Sequence, residues 1–221
     1  MSLTPNSRHN LPTFEQLSNG LGGGSLTVLE SLRRRATEGR LPCYLVGGPV
    51  RDLLLGVPLR DLDVSIERDA TALAAVLAEE LGAKLTIHRR FGTATLTLSG
   101  EHVDLVTARK EVYPRPGALP KVSPGTIIDD LARRDFSVNA IALPLSAARY
   151  GVVDPHGGAD DLERRIIRTL HSASFDFKSF AWLGAAIASA SSSSVDVISI
   201  STFAVCSFHT FSYHSISSTI K

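Results

Sequence analysis

Apolar and polar residues alternate along Ala94–Leu98 and again along His102–Thr107, with the turn Ser99-Gly100-Glu101 between them, a pattern that predicts a β-hairpin. Cys43–Val46 is a short apolar run with aromatic and β-branched members, closed by Gly47-Gly48. Val50 to Leu55 then takes helical spacing. Val64 and Ile66 continue an alternation that puts Asp61 and Asp63 on a strand, where residues two apart project from one face. Two longer helices are predicted. Ser25 caps one from Leu26 to Glu38, with Leu26, Leu29 and Leu32 on one face and Gly39 as its stop; the other runs from Ala70 to Leu81 and ends at Gly82. Strands interleaved with helices predict an α/β domain. Residues 1–24, rich in Pro, Asn, Ser and Gly without periodicity, read as a flexible leader. The stretch from Lys110 to Gly125, with four prolines, is too long and polar for an ordinary connection and predicts a mobile loop.

The strand, glycine turn and helix at 43–55 can hold an anion. A Gly-Gly turn lets backbone N–H groups approach phosphate closely, and a helix start adds its positive dipole end. Pro49 fits the first helical position, where a missing N–H costs nothing. Arg51, one turn in, has the fork geometry for phosphate oxygens. Taken alone, a glycine pair is equally the mark of a plain tight turn. Asp61 and Asp63 narrow the choice, because adjacent carboxylates repel and remain ionised together only with a cation between them. Mg²⁺, a hard cation that bridges carboxylates to phosphates, suits such a pair; a solvated acidic edge is the alternative. Asp104 lies between Val103 and Leu105 inside a strand, where a lone buried carboxylate is costly. Either it pairs with an Arg or Lys, or it completes a metal site with the aspartate pair.

Composition limits what else the chain can be. Its 221 residues and 43% hydrophobic content allow one domain of roughly 150 residues plus extra material. A formal net charge of +1 excludes a general polyanion binder, so the arginines act locally. Arg33-Arg34-Arg35 reads as a solvated helix face, with contact to nucleic acid or phosphate as the other possibility. Cys43 and Cys206 form no C-x-x-C pair, which argues against a disulfide framework or zinc site. With no signal peptide and no membrane-length apolar stretch evident, the expectation is a cytoplasmic protein without membrane contact.

Val46-Gly-Gly-Pro-Val-Arg-Asp with the downstream Asp-x-Asp resembles the head domain of the tRNA nucleotidyltransferase and bacterial poly(A) polymerase family, within the polymerase β superfamily. Val103-Asp-Leu-Val-Thr-Ala-Arg109 with Glu111 and Tyr113, Asp130-Leu-Ala-Arg-Arg-Asp-Phe-Ser-Val-Asn-Ala-Ile-Ala142 and Asp154-Pro-His-Gly-Gly-Ala-Asp-Asp-Leu-Glu-Arg-Arg-Ile-Ile-Arg168 come after it in the family's order. The likeness runs from about Tyr44 to Phe175. It implies a polymerase β-like fold, a mixed sheet backed by helices that carries Asp61, Asp63 and Asp104 on one surface. It also implies transfer of nucleotides from CTP and ATP to the tRNA 3′ end (CCA addition) by a two-metal mechanism. By the same resemblance Asp61 and Asp63 bind Mg²⁺, with Asp104 assisting, and Gly47, Gly48 and Arg51 contact the nucleotide. Arg134 supplies a further phosphate-binding arginine, with Arg133 as its alternative. Asp135 and Asn139 lie about a helical turn apart and join the nucleotide site by position, although Asn139 reads more as a cap than as a ligand. Asp154, Asp161 and Arg168 orient the arginines or join the head to the next part of the chain; Asp154-Pro155 is also simply a good turn starter. Poly(A) polymerases and enzymes adding only CC or only A share these motifs, and a non-catalytic remnant that binds nucleotide or RNA is the rival reading.

The resulting division is a leader over 1–24, a head over 25–145, the start of a neck over 146–175 and an aberrant Ser-rich tail over 176–221. In similar proteins an acidic pair and spaced arginines that read the nucleobase come after the position of Phe175. Here no arginine occurs after Arg168, and the chain turns Ser-, Ile- and Phe-rich, with a strand-like alternation over Val195–Ser201 that is an aggregation risk. So abrupt a shift predicts a changed reading frame in preference to a divergent tail.

Overall fold

A computed structural model describes residues 14–38, 41–112, 114, 120–146 and 151–171. The elements in chain order are α1 (Phe14–Ser18), α2 (Gly23–Glu38), β1 (Cys43–Val46), α3 (Gly48–Leu54), β2 (Leu62–Ile66), α4 (Ala70–Leu81), β3 (Lys84–His88), β4 (Thr93–Leu98), β5 (Glu101–Thr107), β6 (Arg109–Val112), β7 (Lys121–Pro124), α5 (Ile127–Ala132), β8 (Ala142–Pro144) and α6 (Gly158–Glu163). Six strands form one mixed sheet in the order β3-β4-β5-β2-β1-β8, and β6 and β7 form a separate antiparallel pair. Within the large sheet only the β2–β5 pairing is parallel.

Period-two alternation gives the sheet two different faces. Leu62 and Val64 of β2, Ala94 and Leu96 of β4, and Val103 and Leu105 of β5 point into the main core. There they meet Val28, Leu29 and Leu32 of α2, and Ala70, Ala74 and Leu77 of α4. Each fully buried Leu or Val of this layer contributes about 1.5–3 kcal/mol. The residues between them, Asp63, Thr95 and Asp104, belong to the opposite face and are partly exposed. Over β1 and β8 that second face is closed by a smaller apolar cluster in which Val46 and Ala142 meet Ile127 and Leu131 of α5. The carboxylates therefore stand beside α5, on sheet surface that the large helices leave open.

Local chemistry explains the boundaries. Helix α4 starts where the Asp69 carboxylate accepts the N–H groups of Thr71 and Ala72, and stops where Gly82 turns left-handed at φ 65°. Ser99 and Gly100 carry φ of 54° and 84°, the two positive values that let a two-residue hairpin join β4 to β5.

Several expectations change. Residues 14–24 are not all leader: α1 buries Leu17 completely, and α2 begins at Gly23. Ser25 is not the cap but a buried member of α2, and its N–H donates to Glu101 Oε2 at 2.7 Å. A carboxylate from β5 thus does the capping, a non-local partner that no local pattern reports. Gly48 takes the first helical position of α3 and Pro49 the second, where a missing N–H is equally harmless. Asp61 lies one residue before β2, not on it. The segment from Lys110 to Gly125, expected as a mobile loop, contains all of β6 but its first residue and the whole of β7, with Glu111 opposite Val122. Arg34 and Arg35 both bond Glu80, so two of the three clustered arginines tie α2 to α4.

Residues 151–171 fall in the segment read as a neck. Val152 and Ala159 of this segment sit in the main core, and isolated bridges join Val153 to Ala142 and Thr169 to Phe136. The readings made for residues 1–13, for Cys206 and for the tail over 176–221, including Val195–Ser201, lie outside the described residues. No helix among the described residues is long and apolar enough to cross a membrane.

Candidate active site

The parallel ladder between β2 and β5 makes Asp63 and Asp104 register partners, so two carboxylates distant in sequence stand side by side on adjacent strands. Thr95, the partner of Asp104 on β4, donates its hydroxyl to Asp104 Oδ1 at 2.6 Å. Asp104 thus has a hydroxyl partner across the sheet on one oxygen, a group that the sequence expectation did not include. Burial, then the neighbouring charge of Asp104, pushes the Asp63 carboxyl up to about 6; Asp61 adds to the rise and Arg134 opposes it. Asp61 is exposed. Among the described residues no three carboxylate, imidazole or thiolate side chains converge as a ready cation cage. The donor set nonetheless fits a hard divalent cation. Oxygen donors predominate, and the crowding that holds Asp63 toward its protonated form is what a bound cation relieves.

The glycine turn faces this pair with an arginine seated on it. Gly47 has φ of 74°, and a Cβ there would lie 2.8 Å from Arg134 Nη1, so a side chain would strain the backbone and displace the guanidinium from the turn. Arg134 also donates from Nη1 to the Asn139 carbonyl at 3.4 Å and from Nη2 to Asp130 Oδ2 at 3.2 Å. Arg51 stands against the turn as its spacing suggests, but buried and with protein partners on its donors. Its side chain is only 2% exposed, with Nε and Nη2 donating to Asp52 Oδ1 and Nη1 donating to Asn139 Oδ1 at 2.7 Å. Nη2 lies 3.5 Å from the place of a Gly48 Cβ, which sets the guanidinium directly against the turn. Asn139 therefore links both arginines, by its side chain to Arg51 and by its carbonyl to Arg134.

Asp135 is exposed and does not share a helix with Asn139: α5 ends at Ala132, and a separate 3-10 turn covers Ser137–Asn139. Arg133 points elsewhere. Its Nε and Nη2 donate to Asp130 Oδ1 at 3.0 and 2.7 Å, and its Nη1 lies 3.9 Å from Glu111 of β6. Asp154 caps α6 by accepting the N–H groups of Gly158 and Ala159. Asp161 accepts from the Ser137 hydroxyl and from Arg168, so this pair braces the 3-10 turn that carries Asn139.

Sequence reasoning gave no role to Asp130, Glu67, Thr95 or Glu111. Asp130 was detectable, since it precedes Arg133 and Arg134 by three and four positions, the spacing of neighbours on a helix. Glu67 was not. Its Oε1 accepts the Ile127 N–H at 2.7 Å and so fixes the start of α5 to the end of β2. Burial, then the charge of Glu67, pushes the Tyr44 hydroxyl up to about 12.

A family model described as the poly(A) polymerase head domain matches residues 43–168. The A-adding tRNA nucleotidyltransferase of Halalkalibacterium halodurans is 45% identical over 171 residues, covering 76% of this chain and 40% of that protein. The CC-adding tRNA nucleotidyltransferase of Deinococcus radiodurans is 47% identical over 168 residues, covering 74% and 44%. Among solved structures, apo form II of a CCA-adding enzyme superposes with a TM-score of 0.66 at 36% identity, covering 80% of this chain and 42% of that one. The Thermotoga maritima CCA-adding enzyme complexed with tRNA-CCA gives a TM-score of 0.62 at 34% identity, covering 80% and 40%. The chain thus spans about two fifths of the length of these four relatives. On the match from β1 through Arg168, it belongs to the poly(A) polymerase head-domain family.

Proposed function

We propose that this head transfers a nucleoside monophosphate from CTP or ATP to the 3′-hydroxyl of tRNA. The observation that carries the reading is the pairing of Asp63 with Asp104 on parallel strands, with Arg134 seated on the Gly47 turn and close enough to lower the Asp63 pKa. In the reaction the 3′-oxygen bonds to the α-phosphorus, the bond to the bridging oxygen breaks, and pyrophosphate leaves. Asp61 and Asp63 would hold two Mg²⁺ ions, which supply charge neutralisation on the triphosphate and acidify the attacking hydroxyl. Asp104, fixed by Thr95, presents negative charge beside that site and favours loss of the hydroxyl proton. Gly47 and Gly48 admit the triphosphate close to the backbone. Arg134 binds its oxygens, and Arg51 strengthens the positive potential of the turn from its buried place. Asn139 holds both arginines in register, and exposed Asp135 lies next to Arg134 at the rim.

The A-adding and CC-adding relatives are 45% and 47% identical to this chain, against 32% for the CCA-adding enzyme of Geobacillus stearothermophilus. Which nucleotides are added is therefore read from products. Labelled CTP and ATP are offered with tRNA lacking its terminal nucleotides, and the extended ends are sequenced. Incorporation by the chain, abolished by Asp61→Ala and by Asp63→Ala with an unchanged circular dichroism spectrum, is the expected result. Incorporation that survives either substitution refutes the assignment, and triphosphate binding without incorporation makes the chain a binding module.

A further inference from the structure

Two adjacent arginines, Arg133 and Arg134, share one carboxylate that no solvent reaches, since the Asp130 side chain is 0% exposed. The two oxygens of that carboxylate are divided between them. Oδ1 takes Nε and Nη2 of Arg133, and Oδ2 takes Nη2 of Arg134. The consequence is directional. Arg134 reaches Gly47, whereas Arg133 reaches Glu111 on β6, where Arg109 is already paired with Glu111 at 2.9 Å.

We infer that Asp130 is a positioning residue that sorts the arginines, directing Arg134 to the triphosphate turn and Arg133 to the β6–β7 hairpin. The assignment of Arg134 to triphosphate rests on the proposed function; the sorting itself rests on geometry alone. A guanidinium is planar and a carboxylate offers two oxygens, so with each oxygen engaged neither arginine can swing to the other's place without leaving a buried charge unpaired. Because Glu67 pins the start of α5 to β2, the strand that carries Asp63, Asp130 also fixes where Arg134 stands relative to the carboxylates. The hairpin and the triphosphate turn are then joined through one side chain that touches neither substrate nor metal.

The test uses the full chain, with ATP and Mg²⁺ as the probe, and two readouts. Calorimetry measures the dissociation constant of ATP, and hydrogen exchange measures protection of residues 109–112 and 121–123. Arg134→Ala weakens ATP at least about tenfold and leaves hairpin protection unchanged, the loss of one charge-assisted contact. Arg133→Ala loosens the hairpin and keeps ATP affinity within about twofold. Asp130→Asn does both, and its effect on ATP vanishes in the Arg134→Ala background; a general structural role would add in full instead. Arg133→Ala is made at a side chain 20% exposed and so reports even where Asp130→Asn does not fold. The inference is overturned when Arg133→Ala weakens ATP as much as Arg134→Ala does, or when Asp130→Asn and Arg134→Ala are additive. If the wild-type chain binds no ATP the proposed function falls, and hydrogen exchange alone then decides the sorting: a hairpin untouched by Arg133→Ala refutes it.

Discussion

Replacing Asp63 by Asn should stabilise the metal-free protein while removing its response to Mg²⁺. In the folded chain the carboxyl titrates at about 6 instead of 3.8, first because of burial and then because Asp104 is its register partner. That difference corresponds to about 3 kcal/mol, an upper bound for a side chain that keeps some contact with water. The sign comes from linkage. The fold favours the protonated acid, so the penalty is absent below the unfolded-state pKa, grows as pH rises, and is complete above about 6. An amide of the same shape carries no such penalty. Urea unfolding in EDTA at about pH 7.5 should therefore show the Asn variant more stable by up to about 3 kcal/mol, with the gap closing toward about pH 4. Added Mg²⁺ should raise the wild-type midpoint by mass action and leave the variant where it was. A variant no more stable than wild type at the higher pH, or a gap that does not narrow on acidification, would show that the paired carboxylates are not under electrostatic strain.

Three further outcomes are expected. Gly47→Ala should cost about 1–2 kcal/mol because its φ of 74° is left-handed, and it should also weaken ATP, since the new methyl falls 2.8 Å from Arg134 Nη1; unfolding and calorimetry check both. Gly158→Ala should cost at least about 2 kcal/mol, because its Cβ would lie 2.0 Å from the Ser137 carbonyl oxygen and must push α6 off the 3-10 turn; thermal unfolding reads this directly. Burial pushes the Cys43 thiol up to about 12, so iodoacetamide at mildly alkaline pH should spare Cys43 in the native chain and modify it in urea, as peptide mapping would show.

What the sequence made legible was local. Helix α4 was bounded correctly because its stop lies in its own sequence, at Gly82, and the hairpin of β4 and β5 because both partners adjoin the turn. Asp63 and Asp104 were identified by residue type and strand position, but their direct opposition was hidden, since it depends on a parallel pairing across the whole of α4, β3 and β4. The same limit concealed the Glu101 cap on α2 and the Glu67 cap on α5, each supplied by a strand remote from its helix. Arg51 shows the opposite failure. Its spacing from the turn was right, but which partners would claim its donors depended on Asn139, far along the chain. Strand β3 also escaped notice, because four of its five residues are exposed and it has little apolar face to announce it.

The parallel pairing of β2 with β5 has a consequence for how such a chain can change over evolutionary time. The stretch between the two aspartates carries helix α4, which packs in the main core, and strands β3 and β4, which extend the same sheet beyond β5, so its freedom to vary lies in the surface turns between those elements. Lengthening its surface turns costs little, roughly 0.6 kcal/mol for each doubling of a loop. A single residue gained or lost within β5 itself is another matter: it would turn Asp104 inward among the leucines and bring Val103 or Leu105 to the face that Asp104 shares with Asp63. Variation in this family member is thus cheap in the connections and prohibitive in the ladder, and the facing carboxylates owe their permanence to backbone register more than to the side chains that surround them.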